Sequence, residues 1–188
     1  MEEPRPSSAL VGTTGSTAFV VEPAQTTNVF GDQETPPGRA AAADSTPAES
    51  VRVLGTAPLL SHVEFTGRES IRGRIPPGTG MVGKRADVTH TGAATVGTRV
   101  RVRTEVVAVD GADVTYDGRV RTVEDDRPVA SATVVLRLVD RDRFRAAVDV
   151  NDQTVDDRDR DARDEERDRE PRDAADVEGG DLDVDESG

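Results

Sequence analysis

The sequence predicts an α+β domain in which an antiparallel sheet wraps around one buried helix. Three observations carry that expectation. Leu59, Val63, Gly67 and Ile71 recur every four residues as a single helical packing stripe. From Val82 onward the apolar period switches from about four to two, and it stays there as far as Leu138. Short links join the last three of these runs, which makes them antiparallel neighbours. A sheet with one apolar face needs cover, and this chain offers one apolar helix to provide it.

Residues 1–14 are rich in Pro, Ser, Thr and Gly and read as a disordered start, so the domain is drawn over 15–148. Residues 18–21 form a short apolar strand, ended by Glu22 and Pro23. From Gly31 to Ser50 the chain carries Pro36, Pro37, Gly38, an alanine run and Pro47, and reads as a long loop. Thr56 is placed to cap the helix and Pro58 falls in its first turn, where a missing N–H costs nothing. Gly67 lies inside that helix at a cost of roughly 1 kcal/mol relative to alanine, which close packing on the sheet would explain. The helix ends near Pro76-Pro77-Gly78.

In the next strand Val82, Ala86 and Val88 share a parity with His90 and are expected to point inward. Val100, Val102, Val106 and Ala108 then alternate with Arg99, Arg101, Arg103 and Glu105. Asp110-Gly111 is the dipeptide of a type I′ hairpin turn. Val114, Tyr116 and Val120 form the inward set of the return strand, and Ala130, Ala132, Val134, Leu136 and Leu138 that of the last. Phe144 is the last expected core residue.

Charge separates the domain from the C-terminal segment. Residues 151–188 hold 17 acids against 6 arginines, with Val155, Val177, Leu182 and Val184 as their large apolar groups. Such a segment buries too little surface to offset its ordering entropy, so an acidic disordered tail is expected over 149–188. The rest of the chain is close to neutral, so the formal charge of −13 is mostly tail. No run of basic residues marks a nucleic-acid or anionic-membrane surface. Lys84 is the one lysine among 24 basic residues, a balance that fits adaptation to high intracellular salt, although a GC-rich genome gives the same arginine bias. With no cysteine there is no disulfide framework, thiolate nucleophile or Cys-ligated metal. No metal or cofactor is expected. Neither an apolar run of spanning length nor a signal-like start is present, and the expected location is cytoplasmic.

Few residues can carry chemistry. Of the two histidines, His62 lies beside the helix stripe and reads as an exposed surface group, whereas His90 ends an apolar strand with inward parity. Glu64 flanks the stripe on the Leu60 side. A solvated flank explains it, but a carboxylate facing the sheet needs a partner there, and His90 could be that partner. Thr56 is explained by capping alone. Its position adds interest, because a helix N-terminus presents free N–H groups and a positive dipole end to an oxyanion.

Three segments then align with a known pattern. Gly55-Thr56-Ala57-Pro58-Leu59-Leu60-Ser61-His62-Val63-Glu64, Met81-Val82-Gly83-Lys84-Arg85-Ala86-Asp87-Val88-Thr89-His90 with Val96-Gly97, and Val139-Asp140-Arg141-Asp142-Arg143-Phe144 occur in order. Together they resemble the fluoroacetyl-CoA thioesterase-like branch of the hot-dog thioesterases, over roughly residues 15–145. The resemblance implies a hot-dog fold and an acyl-CoA thioesterase that releases a carboxylic acid and free CoA. It implies Thr56, Glu64 and His90 as the catalytic set, with Gly83 and Arg137 touching substrate. It also implies a homodimer or a dimer of dimers, because the family builds its sites at subunit interfaces.

Two departures limit what carries over. Thr56-Ala57-Pro58 stands where the family more often has Thr-Pro directly, although the spacing from Thr56 to Glu64 is kept. The loop from Gly31 to Ser50 is longer than expected and covers the place of the family's lid residues, so fluoroacetate selectivity does not transfer and another short or hydrophobic acyl group is expected. Two other readings compete: a hot-dog hydratase of enoyl thioesters, for which Asp87 and His90 have the wrong relative parity, and a non-catalytic acyl-thioester binding domain.

Overall fold

A computed structural model describes residues 4–33, 44, 46 and 49–148. The acidic tail over 149–188 and most of the 31–50 loop lie outside these residues. Among the described residues, seven strands and one long helix follow in the order β1 (Thr14–Val20), β2 (Thr26–Asn28), β3 (Arg52–Leu54), α1 (Thr56–Ile71), β4 (Thr79–His90), β5 (Arg99–Asp110), β6 (Asp113–Thr122) and β7 (Pro128–Asp140). Five strands form one antiparallel sheet in the order β1-β5-β6-β7-β4, and β2 pairs with β3 in a separate two-stranded ribbon that the sequence pattern does not anticipate.

Helix α1 lies on the apolar face of the larger sheet. Leu59, Val63 and Ile71 are fully buried, each contributing about 1.5–3 kcal/mol relative to exposure. Two glycines let helix and sheet meet. A Cβ on Gly67 would fall 2.4 Å from Cζ of Tyr116, and one on Gly118 of β6 would fall 2.6 Å from Cγ1 of Val63. The stripe therefore carries glycine where the Tyr116 ring fills the space a side chain would need.

The inward sets of β6 and β7 are as expected: Val114, Tyr116, Val120, Ala130, Ala132, Val134, Leu136 and Leu138 are all buried. Bulges alter the other two long strands. Against β6 the register of β5 shifts between Val106 and Ala108, which turns Ala108 outward to pair with Thr115 and brings Val109 opposite buried Val114. Against β7 the register of β4 shifts between Gly83 and Arg85. Met81 and Gly83 therefore pair with buried Leu138 and Leu136, while Val82, expected inward, sits on the outer face opposite Arg137. An extra residue in one strand of a pair flips the parity of all that precedes it.

Four local features also differ from expectation. The start of the chain is built into the domain: Pro6 and Leu10 are buried, and Gly12 N–H and Thr13 C=O bond to the backbone of Val106. The helix cap is Gly55, with Thr56 as the first helical residue. In the two-residue hairpin between Asp110 and Asp113 Gly111 has positive φ (58°) and Ala112 does not, the signature of a type II′ turn. Phe144 is exposed, beyond the end of β7.

Candidate functional site

Helix α1 runs antiparallel to β4, and three contacts fix the crossing. At the helix start Thr56 Oγ1 lies 3.3 Å from His90 Nε2 at the end of β4. Two turns on, Glu64 faces the β4 bulge, where a Cβ on Gly83 would lie 3.3 Å from its Oε2. One turn further, Arg68 Nη2 donates to the carbonyl of Met81 at 2.7 Å. The structure thus brings Thr56 and His90 together and places Glu64 and Gly83 together, at a second point along the same strand.

Thr56 and His90 are both exposed in the single chain. Gly55 has no side chain with which to cap the N–H groups of the first turn, and Pro58 carries no N–H. A polarised carbonyl oxygen at this end would meet backbone donors and the positive end of the helix dipole.

Glu64 is held by its own helix. Arg68 Nε is 3.1 Å from Glu64 Oε1, although buried in a geometry that makes no hydrogen bond, and the guanidinium carbon sits 5.7 Å from the centre of the Phe65 ring. Below it, Tyr116 Oη donates to the Glu64 carbonyl at 3.2 Å. Burial, and next the charge of Glu64, push the Tyr116 phenol well above its usual range. Tyr116 stays protonated and serves as a fixed donor.

Arg137 is elsewhere. It pairs with Val82 and Asp113 on the outer face of the sheet, where Nη1 is 3.2 Å from the Asp113 carboxylate that also binds Lys84. Asp87 pairs with Thr133 and is also on the outer face, so it does not join His90 in a hydratase-like pair. Among the described residues no cluster of His, Cys, Asp or Glu could hold a metal ion.

His62 differs from its expected exposed state. It is half-buried, stacked on Phe19 with ring centroids 3.5 Å apart at 10°, and its Nε2 lies 2.9 Å from Nε2 of Gln25, a contact that needs an unprotonated ring nitrogen as acceptor. The signal was the apolar Phe19 in a strand that the sequence could not place against the helix. Burial lowers the His62 pKa from its ordinary value of 6.5. The neutral ring is favoured in the fold, so its contribution to stability is complete above about pH 6.5 and is lost as pH falls toward the lowered value. Unfolding in urea between pH 8 and 5 should show this decline in the wild type and a flatter profile in His62→Gln.

Known proteins share the fold. Among curated proteins none matches the chain. A thioesterase superfamily member of Thermus thermophilus has the same fold at a TM-score of 0.63, with 19% identity over 78% of this chain and 95% of that one. The fluoroacetyl-CoA thioesterase FlK superposes with a TM-score of 0.59 at 24% identity, covering 73% of this chain and 93% of its own. A hot-dog-like protein from Thermanaerovibrio acidaminovorans gives 0.58 at 22% identity, over 73% and 89%. The sequence pattern of the fluoroacetyl-CoA-specific thioesterase family matches residues 38–142, more than half of the chain. That match shows the family, and with a five-stranded sheet on one helix the chain belongs to the FlK family of thioesterases.

Proposed function

We propose that this thioester hydrolase cleaves acyl-CoA in a site made by two copies of the chain, Thr56 and His90 from one and Glu64 and Gly83 from the other. The observation that carries the reading is the 3.3 Å contact between Thr56 Oγ1 and His90 Nε2, an alcohol beside a base at a helix N-terminus. His90 takes the hydroxyl proton as Thr56 Oγ1 bonds to the thioester carbon, and the oxyanion is met by the N–H groups of the first helical turn. The C–S bond then breaks and the CoA sulfur leaves with the proton from His90. Water activated by the same imidazole hydrolyses the acyl-Thr56 ester and frees the acid.

The base still lacks the third group that orients it, and geometry within one chain does not supply it. Glu64 stands eight residues along the helix from Thr56, about 12 Å at 1.5 Å per residue. A second copy can supply it. Strand β4 is a sheet edge of 12 residues, and long edges are ready templates for pairing. Two β4 strands paired antiparallel about a two-fold axis at Asp87 keep Ala86 and Val88 on the helix face. That register sets the partner's Gly83 and Lys84 beside His90, and with them the partner's Glu64. Arg137 is on the outer face in every such arrangement, so its contact with substrate is not part of this proposal.

Mixing two inactive proteins tests this arrangement. A His90→Ala chain and a Glu64→Gln chain, unfolded and refolded together, should recover roughly a quarter of wild-type CoA release, because half the dimers are mixed and one site in each is intact. If all three residues act within one chain, the mixture stays as inactive as its parts. The acyl group is read as a short or hydrophobic one other than fluoroacetyl. Among the described residues no helix is long and apolar enough to cross a membrane. With a cysteine-free sequence and a CoA thioester as substrate, we place the enzyme in the cytoplasm.

A further inference from the structure

The outer face of the larger sheet, opposite the helix, carries a charge arrangement that the thioesterase reading leaves unused. The register of β5 on β6 sets Arg101 directly opposite Arg121, Arg103 opposite Arg119, and Glu105 opposite Asp117. Like charges facing each other across a ladder destabilise the pair, and a shift by one row would have set Arg103 opposite Asp117 or Glu105 opposite Arg119. Arg121 is met by Asp126, whose carboxylate lies 3.0 Å from its Nε without a hydrogen bond and whose backbone carbonyl accepts from its Nη2. Arg101, Arg103 and Arg119 make no ion pair with any described residue. The guanidinium groups line a groove of about 650 Å³ that reaches the edge strand β1, where Thr14 and Ser16 add hydroxyls. Four planar donors in two adjacent rows suit the bidentate contacts that phosphate oxygens accept.

We propose that this groove binds a small molecule through a diphosphate group held by Arg101, Arg103, Arg119 and Arg121. The groove is of small-molecule size. Glu105 and Asp117 close one end to negative charge, which confines the phosphates to the arginine rows and leaves the carboxylates to accept from hydroxyl or amino groups of the same ligand. The site does not depend on Thr56, His90 or Glu64, which are on the helix side, and its test is separate from theirs.

Calorimetric titration of the full-length protein with pyrophosphate and with ADP, in low-salt buffer, tests the proposal. One site per chain is expected for each, with ADP at least as tight as pyrophosphate, since its nucleoside can meet the carboxylate end. Arg103→Ser with Arg119→Ser, both exposed side chains, should weaken binding about tenfold or more and leave acyl-CoA hydrolysis at the wild-type rate. Millimolar pyrophosphate should raise the melting temperature of the wild type and not of the double variant. No binding of either compound by the wild type, or equal binding by the double variant, would overturn the assignment. So would pyrophosphate binding with ADP excluded, or retention of duplex DNA by a protein that ignores both small anions.

Discussion

Replacing His90 by alanine is expected to lower kcat/KM for acyl-CoA hydrolysis by about 10²- to 10⁴-fold, the range for removing a positioned base. His90 is exposed at the end of β4, and among the described residues its side-chain hydrogen-bond partner is Thr56 at 3.3 Å, so the melting temperature should stay within a degree or two of wild type. Thr56→Ala should fall in the same range, and Thr56→Ser, which keeps the hydroxyl, should retain most of the rate. Release of free thiol from a panel of acyl-CoAs, read with a thiol reagent, measures all three. The mechanism fails if His90→Ala hydrolyses at the wild-type rate. Loss in His90→Ala with full activity in Thr56→Ala would instead give His90 a water to activate and remove Thr56 as the attacking group.

The second large effect concerns stability. Gly67→Ala would gain up to about 1 kcal/mol of helix propensity in an open position. Here its methyl would lie 2.4, 2.5 and 2.8 Å from three ring carbons of Tyr116. The ring has nowhere to go: Tyr116 is fully buried and its hydroxyl is tied to the Glu64 carbonyl. Overpacking a filled core costs about 3 kcal/mol, so the net loss is about 2 kcal/mol and the melting temperature falls by roughly 6–10 °C. Gly73 is the control. It lies in the turn after the helix, with nothing within 4 Å of an added Cβ, and Gly73→Ala should leave the melting temperature unchanged or slightly raised. Equal losses in the two variants would mean that backbone freedom, and not the Tyr116 contact, explains Gly67. Because Tyr116 also anchors Glu64, Gly67→Ala should weaken activity along with stability.

The helix, its buried stripe, the inward residues of the last two strands and the place of His90 on the helix face were all legible in the sequence. These are local matters: a period of four or two records which side of an element is apolar, and burial obeys it. The sequence also held Thr56 at the helix start, eight residues ahead of Glu64. The remainder needed the folded chain. Whether Val82 or Gly83 faces the helix depends on a bulge, which exists between β4 and β7 and in neither strand alone; the same holds for Ala108 and Val109. The row of arginines on the outer face comes from pairing register, which alternation within one strand does not specify. His62 acquired its stacking partner only when β1 was laid beside the helix. The proposed catalytic set shows the division best: the family resemblance implied three residues, but the angle at which α1 crosses β4 joins Thr56 to His90 and keeps Glu64 with Gly83. A helix advances about 1.5 Å per residue and a strand about 3.3 Å, so residues evenly spaced in the chain meet at one point of the crossing and part at the next.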